Sequence, residues 1–289
     1  MKMVTEIQDL RQVCSQLPHP LGLVPTMGYL HAGHLALVQQ AQKECGSVVV
    51  SIFVNPTQFG PKEDLSAYPR DLERDIALLE AAGVDLLWTP TNAVIYPAGY
   101  QTWVSVEDIS QPLEGSFRPG HFRGVTTVVA KLFNAVQPQK AYFGQKDAQQ
   151  VAVISAMVRD LNFGLDLVIV PTVREPDGLA LSSRNAYLNP VERQAAVVLY
   201  RALCAAQADF EAGEHNAEAL RQKMRQVLAA EPLARVQYVS CGDASSLIEV
   251  DGTVTDALFS LAVYVGKTRL IDNFIYRNGC WQTGQFRRV

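Results

Sequence analysis

Two histidines, His31 and His34, sit three residues apart in the stretch PTMGYLHAGH (25–34), flanked by Gly28 and Gly33, in a chain that has only five histidines. The stretch lies between an apolar segment of strand character and a segment of helical period. A helix starting near His31 puts both rings on one face of its first turn, where backbone amides are unpaired and the helix dipole is positive. Phosphate oxygens suit that position, and glycine permits the backbone to come close to a ligand. The imidazole N–H groups would then stabilise charge developing on phosphorus without acting as bases. A metal site would need a third ligand, and neither an HExxH pattern nor a carboxylate at ligand spacing is nearby. The plain alternative is a pair of capping or packed histidines.

Other segments carry polar groups at comparable positions. NPTQFGPKEDLSAYPRD (55–71) leaves the most apolar run of the chain. Its Asn55 and Gln58 amides both donate and accept, which suits a substrate with a carboxylate and a hydroxyl. Asp75, one turn into the following helix, can hold magnesium indirectly or be a solvated helix residue, the plainer expectation. In FGQKDAQQ (143–150) a strand end and a glycine lead into a charged helix start. There Lys146 is a point charge suited to phosphate, Asp147 an N-cap or a ribose or magnesium contact, and Gln150 faces the same way one turn on. LALSSRN (179–185) places Ser182 and Ser183 beside Arg184 in a flexible segment, with Asp177-Gly178 supplying a turn. Such a loop can close over a triphosphate, or it can be a capping serine pair.

These groups need elements to hold them. Apolar strands are expected at 21–25, 47–54, 84–88, 140–144 and 165–170, and helices at 31–44, 71–83, 124–136 and 147–161. The alternation gives an α/β fold, a doubly wound and mainly parallel sheet of Rossmann-like type, with ligands beyond the carboxyl ends of the strands. From about 175 the pattern changes to alanine-rich helices over 190–230 and short strands over 235–276. The expected division is a domain at 1–175 that binds the ligands and a smaller C-terminal α+β lid domain at 176–289.

Composition narrows the class. With 48% hydrophobic and 19% charged residues over 289 positions the chain is of globular type. A net charge of −4 gives no overall attraction for nucleic acid. Five scattered cysteines without a CxxC pair, a charged start without a signal-like core and no membrane-length apolar run point to a cytoplasmic protein with reduced thiols. There is no GxGxxG for a dinucleotide. Gly266-Lys267-Thr268 imitates the end of a P-loop, but the earlier glycine position is Leu261, so these residues are expected to end a strand.

The HxGH turn together with the Ser-Ser-Arg loop resembles the nucleotidyltransferase superfamily that includes class I aminoacyl-tRNA synthetases. The ordered set PTMGYLHAGH, SIFVNPTQFGPKEDLSAYPR, RPGHFRGVTTVVAKLFN, YFGQKDAQQ and DGLALSSRNAYL is more specific and resembles the pantoate–β-alanine ligases, with GKTRLIDN extending the likeness. The resemblance implies an ATP- and Mg2+-dependent ligase that makes pantoyl-adenylate and then pantothenate, and it implies a homodimer. It further implies that Met27, Gly28, Tyr29, Leu30, His31, Ala32, Gly33 and His34 bind ATP, with His34 the proton donor and His31 a phosphate contact. Gly144, Gln145, Lys146 and Asp147 would contact the nucleotide, Lys146 at its phosphates and Asp147 at its ribose. Val173, Leu181, Ser182, Ser183 and Arg184 would complete the ATP site, while Gln58 and Gln150 would hold pantoate, Gln58 also near β-alanine. His31, His34, Lys146 and Arg184 are the expected charge-neutralising groups. Two positions depart from the family pattern: Leu181 replaces a usual methionine and Gln145 a usual glutamate. A simple adenylyltransferase and a nucleotide-binding regulator without chemistry are the competing readings; the Gln58 and Gln150 amides count against the first and the intact cationic and imidazole groups against the second.

Overall fold

The structure, a computed structural model, describes residues 1–61 and 63–286 and consists of two compact units. The larger holds Met1–Gly144 and Gln149–Val170, the smaller Gln145–Ala148 and Pro171–Val289. The units therefore part at 170/171, with a four-residue piece of the earlier chain grouped with the smaller one, where the sequence suggests 175/176.

In the larger unit the elements run β1 (Lys2–Val4), α1 (Ile7–Cys14), β2 (Leu21–Thr26), α2 (Ala32–Glu44), β3 (Ser47–Ile52), α3 (Leu72–Ala81) and β4 (Leu86–Trp88). They continue through the short helices α4 (Asn92–Ile95) and α5 (Glu114–Phe117) to α6 (His121–Val136), β5 (Lys140–Gly144), α7 (Ala148–Asp160) and β6 (Asp166–Val170). The strands form one sheet in the order β1-β4-β3-β2-β5-β6, each neighbouring pair parallel. Alternate side chains feed two separate cores, as the period of two requires. Leu23, Val49, Leu86, Trp88, Ala141 and Phe143 face α1, α6 and α7. Val24, Val48, Val50, Leu87 and Tyr142 face α2 and α3. Burial on both faces explains why these strands read as continuous apolar runs.

The strand order reverses direction at β2, whose neighbours are β3 on one side and β5 on the other. The crevice that such a reversal opens lies beyond the carboxyl ends of the strands. At those ends stand Met27 and the turn that follows it after β2, and Gly144, the last residue of β5.

The smaller unit contains β7 (Val173–Arg174), α8 (Pro190–Ala195), α9 (Val198–Glu211), α10 (Ala217–Ala229), β8 (Ala234–Asp243), β9 (Ala257–Val265), β10 (Thr268–Arg277), β11 (Cys280–Gln282) and β12 (Gln285–Phe286). Strands β8 to β11 make an antiparallel meander, and β7 pairs with β12 in a two-stranded parallel ribbon. Phe210, Leu220, Met224 and Leu228 of α9 and α10 pack on Phe259, Leu261, Val263 and Phe274 of the meander. Gly266-Lys267-Thr268 does not end a strand as expected. Gly266, at φ +58°, and Lys267 form the tight turn between β9 and β10, and Thr268 opens β10 opposite Val265.

One charged pair lies inside this unit. Arg174 and Asp272, 1% and 3% exposed, meet in a two-pronged contact of 2.6 and 2.9 Å. Arg174 also donates to the carbonyls of Thr283 and Gly178 and lies between the rings of Tyr200 and Phe274. Removing one partner of such a pair leaves an uncompensated buried charge. Asp272→Asn is therefore expected to lower the stability of this unit by about 3–5 kcal/mol, read as a shift of its urea unfolding midpoint.

Candidate active site

The turn after β2 is shaped by two residues in the left-handed region, Gly28 at φ +81° and Tyr29 at φ +50°. A Cβ at position 28 would come within 3.1 Å of both Ile52 and the Asp75 carboxylate, so glycine is required there on two counts. The turn directs two successive amides at one carboxylate: Tyr29 N–H and Leu30 N–H donate to the two oxygens of Asp75, each at 2.7 Å. Arg74, the neighbouring residue on α3, donates to the Leu30 carbonyl and lies over the Tyr29 ring. Asp75 is 1% exposed, so it is not the solvated helix residue expected from the sequence. Both its oxygens are turned to the loop backbone, and this geometry gives no support to the expected magnesium contact. Burial raises its pKa, against the lowering effect of the Leu30 and Tyr29 amides.

From Leu30 the chain enters α2 through His31. The His31 Nδ1 accepts from the Gly33 amide at 3.1 Å, and the His34 Nδ1 accepts from the His31 amide at 3.3 Å. The two rings thus form a reciprocal capping box, with centroids 4.1 Å apart. A ring nitrogen that accepts carries no proton, so in each neutral imidazole the proton is on Nε2. Capping and phosphate contact, which the sequence leaves as alternatives, are compatible here because they use opposite ring atoms.

The turn after β3 is a short 3-10 segment, Pro56–Gln58. Asn55, expected as a substrate amide, is instead consumed inside the protein. It is 1% exposed; its Oδ1 accepts from Thr57 and Tyr96, and its Nδ2 donates to Gln58 Oε1 and the Gly124 carbonyl. Gly124 lets α6 lie directly on this turn, since a Cβ there would stand 2.5 Å from the Thr57 carbonyl oxygen. Gln58 is half-buried, and its Nε2 points at the Met27 sulfur at 3.2 Å, which connects the two turns. A thioether is a weak acceptor, so that amide hydrogen is available to a better one.

Sequence reading missed the group behind Gln58. His121 Nδ1 lies 2.8 Å from the Gln58 carbonyl, and its Nε2 lies 3.1 Å from Arg118 Nη1. A carbonyl can only accept and a guanidinium can only donate, so the ring is neutral with its proton on Nδ1. Arg118 also grips Glu63 through two contacts of 2.8 and 2.7 Å. Burial, reinforced by the Arg118 charge, lowers the His121 pKa to about 4.

Gln149 and Gln150 open α7 with opposite roles. Gln149 is buried and ties down the 109–114 segment through the Ile109 and Pro112 carbonyls and the Glu114 amide. Gln150 is half-buried, and its side-chain amide has no hydrogen bond among the described residues.

In the smaller unit, Gln145–Asp147 form one 3-10 turn. Lys146 is half-buried, with Asp147 Oδ1 at 3.9 Å its nearest ionic partner. Gln145 is buried and donates from Nε2 to the Gln282 carbonyl, a bond that an ionised glutamate cannot make. Leu181 is buried, and its amide donates to the Val173 carbonyl, which aligns the 179–185 segment with β7. Gly178, at φ +98°, makes the preceding turn against the Tyr200 ring. Ser182 accepts from the Arg184 amide and so caps the 3-10 turn Ser183–Tyr187. Among the described residues, no three His, Cys, Asp or Glu side chains gather in a way that could hold a metal ion.

The family model of pantoate-beta-alanine ligase matches residues 2–275. This chain belongs to the pantoate–β-alanine ligase family. It is 60% identical over 278 residues to the pantothenate synthetase of Herpetosiphon aurantiacus, covering 95% of this chain and all of that protein. The crystal structure of pantothenate synthetase from Thermus thermophilus superposes with a TM-score of 0.91 at 50% identity, covering 94% of this chain and 98% of that one. The pantoate-beta-alanine ligase from Francisella tularensis, complexed with beta-gamma ATP and beta-alanine, superposes with a TM-score of 0.77 at 35% identity over 95% and 97% of the two chains. Membership makes the chain an enzyme of the amide-forming ligase class, and no helix among the described residues is long and apolar enough to cross a membrane.

The His121 environment sets a pH dependence. Its pKa is lowered in the folded protein, so the stability it contributes is fully present above the ordinary histidine value of about 6.5 and is lost as pH falls towards about 4. The unfolding free energy of the native chain, from urea titrations, is expected to fall between pH 6.5 and pH 4 by an amount on the order of 3 kcal/mol. His121→Asn, which keeps a donor for the Gln58 carbonyl, is expected to flatten that part of the profile.

Proposed function

We propose that this chain condenses (R)-pantoate with β-alanine at the expense of ATP, through a pantoyl-adenylate, with release of pyrophosphate and AMP. The observation that carries this reading is the paired capping at the HxGH turn, which leaves the ring protons of His31 and His34 on Nε2. Two such donors at a helix N-terminus are suited to oxygens of a phosphate that gains charge.

In the first half-reaction a carboxylate oxygen of pantoate attacks the α-phosphorus, the bond to the β-phosphate oxygen breaks and pyrophosphate leaves. The attack builds negative charge that His31, His34, Lys146 and Arg184 neutralise, each donor contributing roughly 2.7–4 kcal/mol by analogy with an oxyanion-hole donor. His34, the proton donor of this site, donates a hydrogen bond from Nε2 to the leaving phosphate and keeps its proton. Gln58, whose Nε2 has the Met27 sulfur as its partner among the described residues, and Gln150, whose amide makes no hydrogen bond among them, hold the hydroxy-acid. In the second half-reaction the β-alanine amine attacks the acyl carbon, the acyl–phosphate C–O bond breaks, AMP departs and the ammonium proton goes to solvent. Positioning the amine beside the adenylate supplies the remaining acceleration.

In this reading residues 1–175 bind the nucleotide and pantoate, with Gly144 and the 27–34 turn on the nucleotide and Asp147 at its ribose. Residues 176–289 act as the lid, bringing Val173-aligned Leu181 through Arg184 to ATP. Magnesium bound together with ATP would supply further positive charge at its phosphates. The cysteine pattern supports a cytoplasmic setting, and the family resemblance supports a homodimer.

The test is pantoate-dependent exchange of labelled pyrophosphate into ATP without β-alanine. Native enzyme is expected to exchange, and His34→Ala to lower the rate by about 10²–10³. Formation of ADP, only when both acids are present and without exchange, would mean an acyl-phosphate route and overturn the proposal.

A further inference from the structure

Strand β10 carries a polar dipeptide, Asp272-Asn273, inside an apolar setting, both residues 3% exposed. Asp272 takes the Arg174 fork, and its Oδ1 also accepts from the Asn273 amide at 2.8 Å. The Asn273 carboxamide then reaches the turn that holds Lys146. Its Nδ2 donates both hydrogens to that backbone, one to the Gln145 carbonyl at 3.1 Å and one to the Lys146 carbonyl at 2.8 Å. Two carbonyls fix which end of the amide faces them, because the flipped group would set oxygen against oxygen. The Asn273 Oδ1 is buried and has no hydrogen-bond partner among the described residues. Leaving a buried acceptor unpaired is costly, so packing alone does not explain an asparagine here. Its donated bonds do.

We propose that Asn273 is a positioning residue for the adenylation step: by holding both carbonyls of the 145–146 turn, it fixes the Cα of Lys146 and so presents the ammonium group to the phosphates of ATP. This rests on the reading above that Lys146 contacts those phosphates. The physical logic is entropic. A lysine has a long, freely rotating side chain, so the only way to aim it in advance is to fix its backbone. Here the backbone is pinned at three points, the two carbonyls and the Gln145 side chain on Gln282 of β11. Among the described residues the ammonium group itself has the Asp147 contact at 3.9 Å as its one ionic partner. Arg174, on the other side of Asp272, holds the Gly178 carbonyl in the turn that leads to Leu181–Arg184. The dipeptide thus anchors the backbone of both cation-bearing segments of this unit.

The experiment is a double-mutant cycle on pyrophosphate exchange, with Asn273→Asp, Lys146→Ala and the pair. Asn273→Asp keeps the shape but replaces the two donated hydrogens by an oxygen facing two carbonyls. The expected result is a rise of roughly tenfold in KM for ATP and a comparable fall in exchange, with KM for β-alanine unchanged. The pair should be no worse than Lys146→Ala alone, because Asn273 acts through Lys146. Additive losses would show that Asn273 acts elsewhere and would overturn the proposal, as would native kinetics in a folded Asn273→Asp. If Lys146→Ala alone leaves exchange unchanged, the assignment of Lys146 fails, and this inference falls with it for a separately visible reason. Should Asn273→Asp not fold, Asn273→Ser, which avoids the oxygen–oxygen contact and offers a single donor, is run through the same cycle with a smaller expected rise.

Discussion

A single buried carboxylate fixes the turn on which the chemistry depends. Asp75, in the first turn of α3, accepts the amides of Tyr29 and Leu30, while Arg74 beside it holds the Leu30 carbonyl and covers the Tyr29 ring. Such charge-assisted bonds are stronger than neutral ones, and both carboxylate oxygens are satisfied, as a buried charge requires. With residues 29 and 30 held, His31 enters α2 as its cap, and His34 closes the box from the other side. The protonation pattern of both rings follows from that backbone geometry. Moving the turn would release the Nδ1 atoms and with them the direction of the Nε2 protons.

The same economy recurs elsewhere in each unit. Behind Gln58, a neutral His121 donates to the backbone carbonyl of the residue whose side chain faces Met27. Behind Lys146, Asn273 donates to the carbonyls on either side of the lysine Cα. In each case a buried polar group holds the main chain, and the side chain of the same residue is left for the ligand. Buried hydrogen bonds of this kind add little net stability, and their value lies in fixing one arrangement of the backbone. For a reaction that needs no covalent nucleophile, arrangement is most of what the protein supplies.

Much of this was readable in the residues. The HxGH spacing located the capped turn, and continuous apolar runs marked strands buried on both faces. The residues that hold the site were harder to see. Asp75 lies 46 positions from Tyr29, and no local pattern links them; its position one helical turn before buried Leu79 was the available sign that it faces inward. Asn55 and Gln58 have the same chemistry, yet one is spent inside the turn while the other is only weakly engaged, and only three-dimensional contacts separate them. Gln149 and Gln150 pose the same problem, because neighbouring helix positions point to different surroundings. Strand β1 and the β7–β12 ribbon escaped notice because pieces of two or three residues carry no period, and their partners lie far away in the chain.

The most direct measurement is the rate of pantoate-dependent pyrophosphate exchange in Asp75→Asn, taken under conditions where circular dichroism shows the variant folded. The two amides bind different oxygens of Asp75, and an asparagine sets its NH2, a donor, in place of one of them, so the turn loses one of its anchors while the helix keeps its shape. The account predicts a folded protein whose exchange is at least about tenfold slower, the effect of losing roughly 1.4 kcal/mol of pre-organisation. A folded variant with native exchange would show that the histidine turn does not depend on Asp75, and would contradict the account.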